Sequence, residues 1–122
     1  MDVYMEAKAV SHKIQECQKI LTAIGDETRQ HLLIVMMQMD DCRGVRVGEI
    51  TEKTNLSRPA VSHHLQILKD AGLISVRKEG TKNYYYFDSD MKSMKKLIDA
   101  LQAAVDVASR LPEQKKRWNC LK

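Results

Sequence analysis

The sequence predicts a mainly α-helical fold with one small β-hairpin, and three observations carry that expectation. Apolar residues recur at helical spacing near both ends of the chain and through its middle. Between Asn55 and Gly72, a helix start and a glycine stop bracket a segment with a single apolar face. Directly after it, Leu73 to Tyr86 breaks into two short β-rich runs around Glu79-Gly80-Thr81-Lys82-Asn83. Helix, tight turn, second helix and basic hairpin, in that order from Thr51 to Phe87, make a winged helix-turn-helix, expected as one domain over residues 1–122.

Taken in chain order, Val3, Ala7, Val10, Ile14, Cys17 and Leu21 repeat at spacings of four and three. They predict a helix over 1–22 with a continuous apolar seam that wants a partner. Leu32, Leu33, Val35, Met36, Met37 and Met39 form a methionine-rich helical stripe, better explained as core filler than as a ligand pocket.

Residues 45–87 carry the helix-turn-helix and wing. Ser57 can accept from a first-turn amide, and Pro59 falls where no helical hydrogen bond is lost. Val61, Leu65, Leu68 and Gly72 then share the packed face, whereas Pro59, Ser62, His63 and Gln66 project from the opposite one. Arg58, Ser62, His63 and Gln66 suit phosphates or base edges, and no carboxylate interrupts this face before Asp70. His64 points partly toward the packed side. In the hairpin, Gly80 marks the turn, Ile74, Val76, Tyr85 and Phe87 supply one buried face, and Arg77, Lys78 and Lys82 cluster near the tip. From Arg58 to Tyr86 five basic side chains face two acids, a local excess that matters more than the overall charge.

A last helix is expected over 88–111. Asp88-Ser89-Asp90 signals its start, Met91, Met94, Ile98, Leu101, Val105 and Ala108 form its stripe, and Leu111-Pro112 ends it. Residues 112–122 read as a polar tail, whose basic run with one tryptophan, Trp118, is too short to assign. Burying the first and last helices against a second copy is the economical solution for two apolar stripes on so small a chain.

Composition limits the alternatives. With 122 residues the chain has room for a modest core and no separate catalytic module. A formal charge of +4 suits a polyanionic partner. No apolar run approaches a membrane span, and Met1 to Ser11 lacks the pattern of a secretion signal. Three cysteines without a Cys-x-x-Cys pair do not make a disulfide framework, so a cytoplasmic protein is expected. No catalytic Ser/His/Asp set, phosphate-binding glycine loop or paired carboxylates can be assembled, which argues against an enzyme.

The run LSRPAVSHHLQILKDAGLISVRKEGTKNYYYF resembles the DNA-binding half of the ArsR/SmtB family of bacterial transcriptional repressors, in its Ser-His-His-Leu core and its Arg-Lys-x-Gly-x-x-x-Tyr-Tyr wing. Ile24-Gly25-Asp26-Glu27-Thr28-Arg29 resembles the opening of that family's second helix, so the likeness extends over roughly residues 20 to 105. The resemblance implies a two-fold dimer built from the first and last helices, a double-stranded DNA partner, and an inverted-repeat operator occupied to block transcription. DNA contacts are then expected from Ser57, Arg58, Pro59, Ser62, His63, Gln66, Arg77, Lys78 and Lys82.

The chain departs from the family's metal sensors. Arg46 stands in Val45-Arg46-Val47-Gly48-Glu49-Ile50 where a metal-binding thiolate would be, and Met91 to Leu111 contains no histidine. Asp88 and Asp90 are explained as charges at a helix start, and His12 and His31 lack a paired ligand. No metal site and no cofactor are expected, and the effector is not assigned. Cys17, Cys42 and Cys120 leave a thiol-based redox or thiolate-metal sensor as an alternative, although Cys17 occupies an apolar seam position that core packing explains. A winged helix used only for protein interaction is a further alternative, and would present an apolar or acidic face where Ser62, His63 and Gln66 stand.

Overall fold

The structure is a computed structural model that describes residues 2–39 and 42–111. Its elements are α1 (Val3–Glu16), α2 (Gln18–Ile24), α3 (Glu27–Met39), α4 (Val47–Lys53), α5 (Arg58–Asp70), β1 (Ile74–Glu79), β2 (Lys82–Phe87) and α6 (Lys92–Arg110). The order is that of a winged helix-turn-helix, with α4 and α5 as its two helices and the β1–β2 hairpin as its wing.

The single helix expected over 1–22 is two helices, broken at Cys17. That residue leaves helical geometry at φ −99°, ψ 14°, and its N–H turns back to the Ile14 carbonyl at 3.0 Å. The bend has a packing reason. Cys17 and Ile20 turn into the core at 3% exposure each, while Val10 and Ile14 are only partly buried where α1 lies along α6. A straight helix presents one stripe in one direction and could not do both. The apolar seam is therefore divided within the chain, and α1 already has a partner.

That partner is α6, laid antiparallel. Glu6 pairs with Arg110 at 2.6 Å, Lys13 with Asp99 at 3.4 Å and Glu16 with Lys96 at 3.2 Å, so numbers rise along one helix as they fall along the other. Hydrogen bonding to the Arg110 guanidinium holds the Glu6 carboxyl below its usual range, and Glu6 with Asp106 raises Arg110 in turn. The inward face of α6 is Leu97, Ala100 and Val107. Of the stripe legible in the sequence, Met91 and Met94 pack against the core, whereas Ile98, Leu101 and Val105 stay 48%, 46% and 69% exposed. Small alanines on the inward side concealed it from a pattern search.

The core gathers Leu32, Ile50, Val61, Leu65, Leu68, Leu73, Ile74 and Leu97, all essentially removed from solvent. Each such side chain stabilises the fold by about 1.5–3 kcal/mol. On α3, Leu32, Val35 and Met36 are buried as the stripe predicts, but Met37 is 65% exposed. Buried positions 29, 32, 35 and 36 define the inward face, and Met37 falls outside it.

The hairpin pairs Ile74 with Phe87 and Glu79 with Lys82, leaving Gly80-Thr81 as a two-residue turn with Gly80 at φ 63°. Val76 lies opposite Tyr85, so the apolar face expected for the ribbon is the one that packs. A second anchor comes from Val45, which exchanges two 2.7 Å backbone hydrogen bonds with Tyr85 on the outer edge of β2. Gly44 makes this approach possible, because at φ 92° any Cβ would stand 2.9 Å from the Tyr85 carbonyl oxygen.

Candidate nucleic-acid interface

The start of α5 is built as its sequence requires. Ser57 is extended, its Oγ accepts from the Ala60 N–H at 3.2 Å, and Pro59 occupies the first turn. Val61, Leu65 and Leu68 are fully buried against the core. Arg58, Pro59, Ser62, His63 and Gln66 are exposed on the opposite side, together with Ser57 before them and Lys69 beyond. The Arg58 guanidinium lies back over α4, 3.8 Å from where a Cβ on Gly48 would be, so its charge spans the starts of both helices of the motif. The Gln66 side-chain amide donates to Asp70 Oδ1 at 2.9 Å.

The end of α5 is equally determined. The Gly72 N–H bonds to the Lys69 carbonyl at 2.9 Å and the Leu73 N–H to Leu68 at 3.1 Å, the pattern of a glycine-terminated helix. Gly72 sits at φ 81°, and Ser93 Oγ occupies the space a side chain would need. The end of α5 and α6 are thus fitted to one another through a missing Cβ.

Sequence reasoning missed the residue that docks α5 from the other side. Arg29 is the one buried charged side chain among the described residues. It donates to the Ala23 carbonyl at 2.8 Å, to Thr22 at 3.0 Å, and to His64 Nδ1 at 3.2 Å. Guanidinium has no acceptor, so His64 must accept at Nδ1. Asp26 completes the cluster, accepting from the Arg29 backbone N–H at 3.0 Å. That hydrogen bond, aided by the charge of Arg29, holds the Asp26 carboxyl below its usual range. His64 therefore faces inward, as its helical position implied. The available signal was periodicity: Arg29 stands in register with Leu32 and Met36 on an otherwise apolar face.

The wing separates its three basic residues. Arg77 is built into the hairpin, 3.1 Å from Glu79 Oε1, donating to the Arg43 carbonyl at 3.0 Å and lying 5.2 Å from the centre of the Tyr84 ring. Lys78 and Lys82 are exposed near the tip. Strand alternation puts Lys78 on the side of Ile74 and Val76, and Lys82 on the side of Arg77 and Tyr84. The two lysines flank the tip instead of sharing one face.

The cysteines are dispersed. Cys17 is buried in the core, Cys42 is exposed on the rim of an open groove with Met36, Met37, Tyr85 and Tyr86, and Cys120 lies outside the described residues. Arg46 precedes α4, and its backbone N–H reaches Glu49 Oε1 at 3.3 Å at the start of that helix. Asp88 accepts from the Met91 N–H at 3.0 Å, which ties it to the beginning of α6.

A winged helix whose second helix is buried on one side and polar on the other, beside a hairpin with lysines at its tip, is the architecture of a DNA-binding regulator. Comparison with known proteins makes the assignment specific. Residues 27–76 match the family described as bacterial regulatory protein, arsR family. An uncharacterized HTH-type transcriptional regulator of Methanocaldococcus jannaschii is 38% identical over 90 residues, which cover 73% of this chain and 98% of that protein. The transcriptional repressor SdpR of Bacillus subtilis is 39% identical over 66 residues, 54% of this chain and 69% of that one. Among solved structures, the transcriptional regulator HlyU from Vibrio vulnificus superposes with a TM-score of 0.55 at 30% identity, covering 78% of this chain and 96% of that one. The chain belongs to the ArsR family of transcriptional regulators, which are not enzymes.

Proposed function

We propose that the chain is a cytoplasmic, homodimeric repressor that occupies an inverted-repeat operator and is released by a signal not yet identified. The observation that carries this reading is the acid-free exposed face from Arg58 to Gln66 on a helix whose other side buries Val61, Leu65 and Leu68. Ser57, Arg58 and Pro59 at the helix start, with Lys78 and Lys82 on the wing, meet phosphates and set register. Ser62, His63 and Gln66 reach base edges in the major groove. Arg77 serves by holding the wing in shape as much as by its charge. The exposed apolar stripe Ile98, Leu101 and Val105 supports a second copy packed on α6, which spaces two recognition helices for half-sites about one helical turn apart. Repression in place of activation is supported by the likeness to SdpR.

The test is selection from a random duplex library with reduced protein and no added metal. Enrichment of an inverted repeat is the expected outcome; retention without enrichment would leave only electrostatic binding and move the protein-interaction reading forward. A second reading, release by thiol chemistry, rests on the exposure of Cys42. Replacing Cys17, Cys42 and Cys120 by Ser with induction unchanged would eliminate it.

A further inference from the structure

Asp70 is out of place on two counts. It is an acid in the last turn of α5, where the helix dipole favours cations, and it borders a face meant to approach a polyanion. Among the described residues its carboxylate is bonded neither to a backbone amide nor to Lys19, which lines the same groove between α2 and α5. It accepts instead from the Gln66 side-chain amide at 2.9 Å. A free glutamine amide can present its oxygen and its nitrogen either way round. With one amide N–H committed to Asp70, the orientation is settled, and Oε1 and the second N–H are the groups left to the solvent side.

We propose that Asp70 is a specificity-determining residue that acts by positioning Gln66, so that the remaining acceptor and donor read adenine at one base pair of each half-site. The inference rests on the DNA-binding reading above and deepens it. An acceptor paired with a donor matches the adenine N6 amino group and N7, the bidentate contact glutamine makes in a major groove. Asp70 itself need not touch the base. Its anionic charge costs general affinity for DNA, and the fixed orientation of Gln66 is what that charge supplies. A helix-surface hydrogen bond with no role in recognition would stabilise α5 slightly and leave base preference untouched.

The experiment is parallel selection from a random duplex library with the full chain and its Gln66→Ala, Asp70→Ala and Asp70→Asn variants, each first confirmed folded by circular dichroism. The unsubstituted chain reports on the reading beneath the proposal: absence of any enriched repeat overturns both. Where a repeat is enriched, Gln66→Ala is expected to abolish an adenine preference at one position per half-site. Asp70→Ala is expected to reduce that preference about tenfold at the same position only, a share of what a bidentate contact contributes. Asp70→Asn keeps an acceptor for the Gln66 amide and is expected to restore the preference, although it lacks the charge. An unchanged adenine preference in Asp70→Ala overturns the proposal while leaving operator binding intact. So does an equal loss at every position, or an Asn variant that behaves like the Ala variant. A Gln66→Ala selection identical to the unsubstituted one also overturns it.

Discussion

Helices α5 and α6 are both amphipathic by sequence, yet they stand in different relations to the rest of the chain. On α5 one side buries Val61, Leu65 and Leu68, with His64 beside them bonded to Arg29, and the other is polar from Ser57 to Asp70. On α6 both sides are apolar: Leu97, Ala100 and Val107 hold the helix to α1 and the core, while Ile98, Leu101 and Val105 face outward. A polar outward face is satisfied by water and remains available to a polar ligand. An apolar outward face is satisfied only by another apolar surface. The two helices thus differ in what their outward faces can accept, a polar ligand on α5 and an apolar surface on α6.

Several substitutions break or sharpen this contrast, and the largest effect belongs to the inner face of α5. Leu65→Ala is expected to cost about 2–5 kcal/mol in urea denaturation, because the side chain is fully buried. A cost below about 1 kcal/mol would mean that α5 is held far more loosely than its burial implies.

Next comes the outer face of α6. Leu101→Glu together with Val105→Glu is expected to weaken self-association at least about 30-fold in sedimentation, with the unfolding midpoint of the monomer little changed. Ala100→Glu, one residue away but facing inward, should unfold the chain instead. If the double variant stays dimeric, the assembly surface lies elsewhere.

Gly72→Ala tests the joint between the two helices. Positive φ and the crowding by Ser93 Oγ should together cost about 1–3 kcal/mol, measured by thermal denaturation. On the wing, Lys78→Ala and Lys82→Ala are each expected to lower affinity on all DNA sequences and to reduce the salt slope by about 1. Arg77→Ala should add a loss of hairpin order, since it removes contacts to Glu79, Arg43 and Tyr84.

The smallest effect concerns pH. Glu6 has a folded pKa below its unfolded one, so its contribution is present above the ordinary glutamate range and fades as pH falls through the lowered folded value. Glu6→Gln should flatten that acid-side loss slightly. As an exposed pair, Glu6 and Arg110 are expected to change thermal stability only marginally at neutral pH.

How far these features were legible depended on how local their causes are. The Ser57 cap, Pro59, the Gly72 stop and the Gly80 turn are each set by a few adjacent residues, and all four lie where the pattern indicated. The break at Cys17 was not legible, because nothing in Glu16-Cys17-Gln18 forbids a continuous helix. The bend follows from the need to meet α6 and the core in two directions. Arg29 escaped notice for a related reason. A charge on an apolar face reads as a flaw until the carbonyls of Thr22 and Ala23 and the ring of His64 come within reach of it.

By itself, then, the sequence determined the element types, the starts and stops of α5 and the wing, the polar outward face of α5 and the family. These follow from periodicity, capping and turn chemistry, which act over a few residues. Only the tertiary structure decided which residues of α6 face inward, that α1 lies along α6 of its own chain, that Arg77 is tied into the wing, and that Asp70 holds Gln66. The first two depend on side chains distant in sequence competing for the same neighbours, and the last two on rotamers that a linear pattern does not encode.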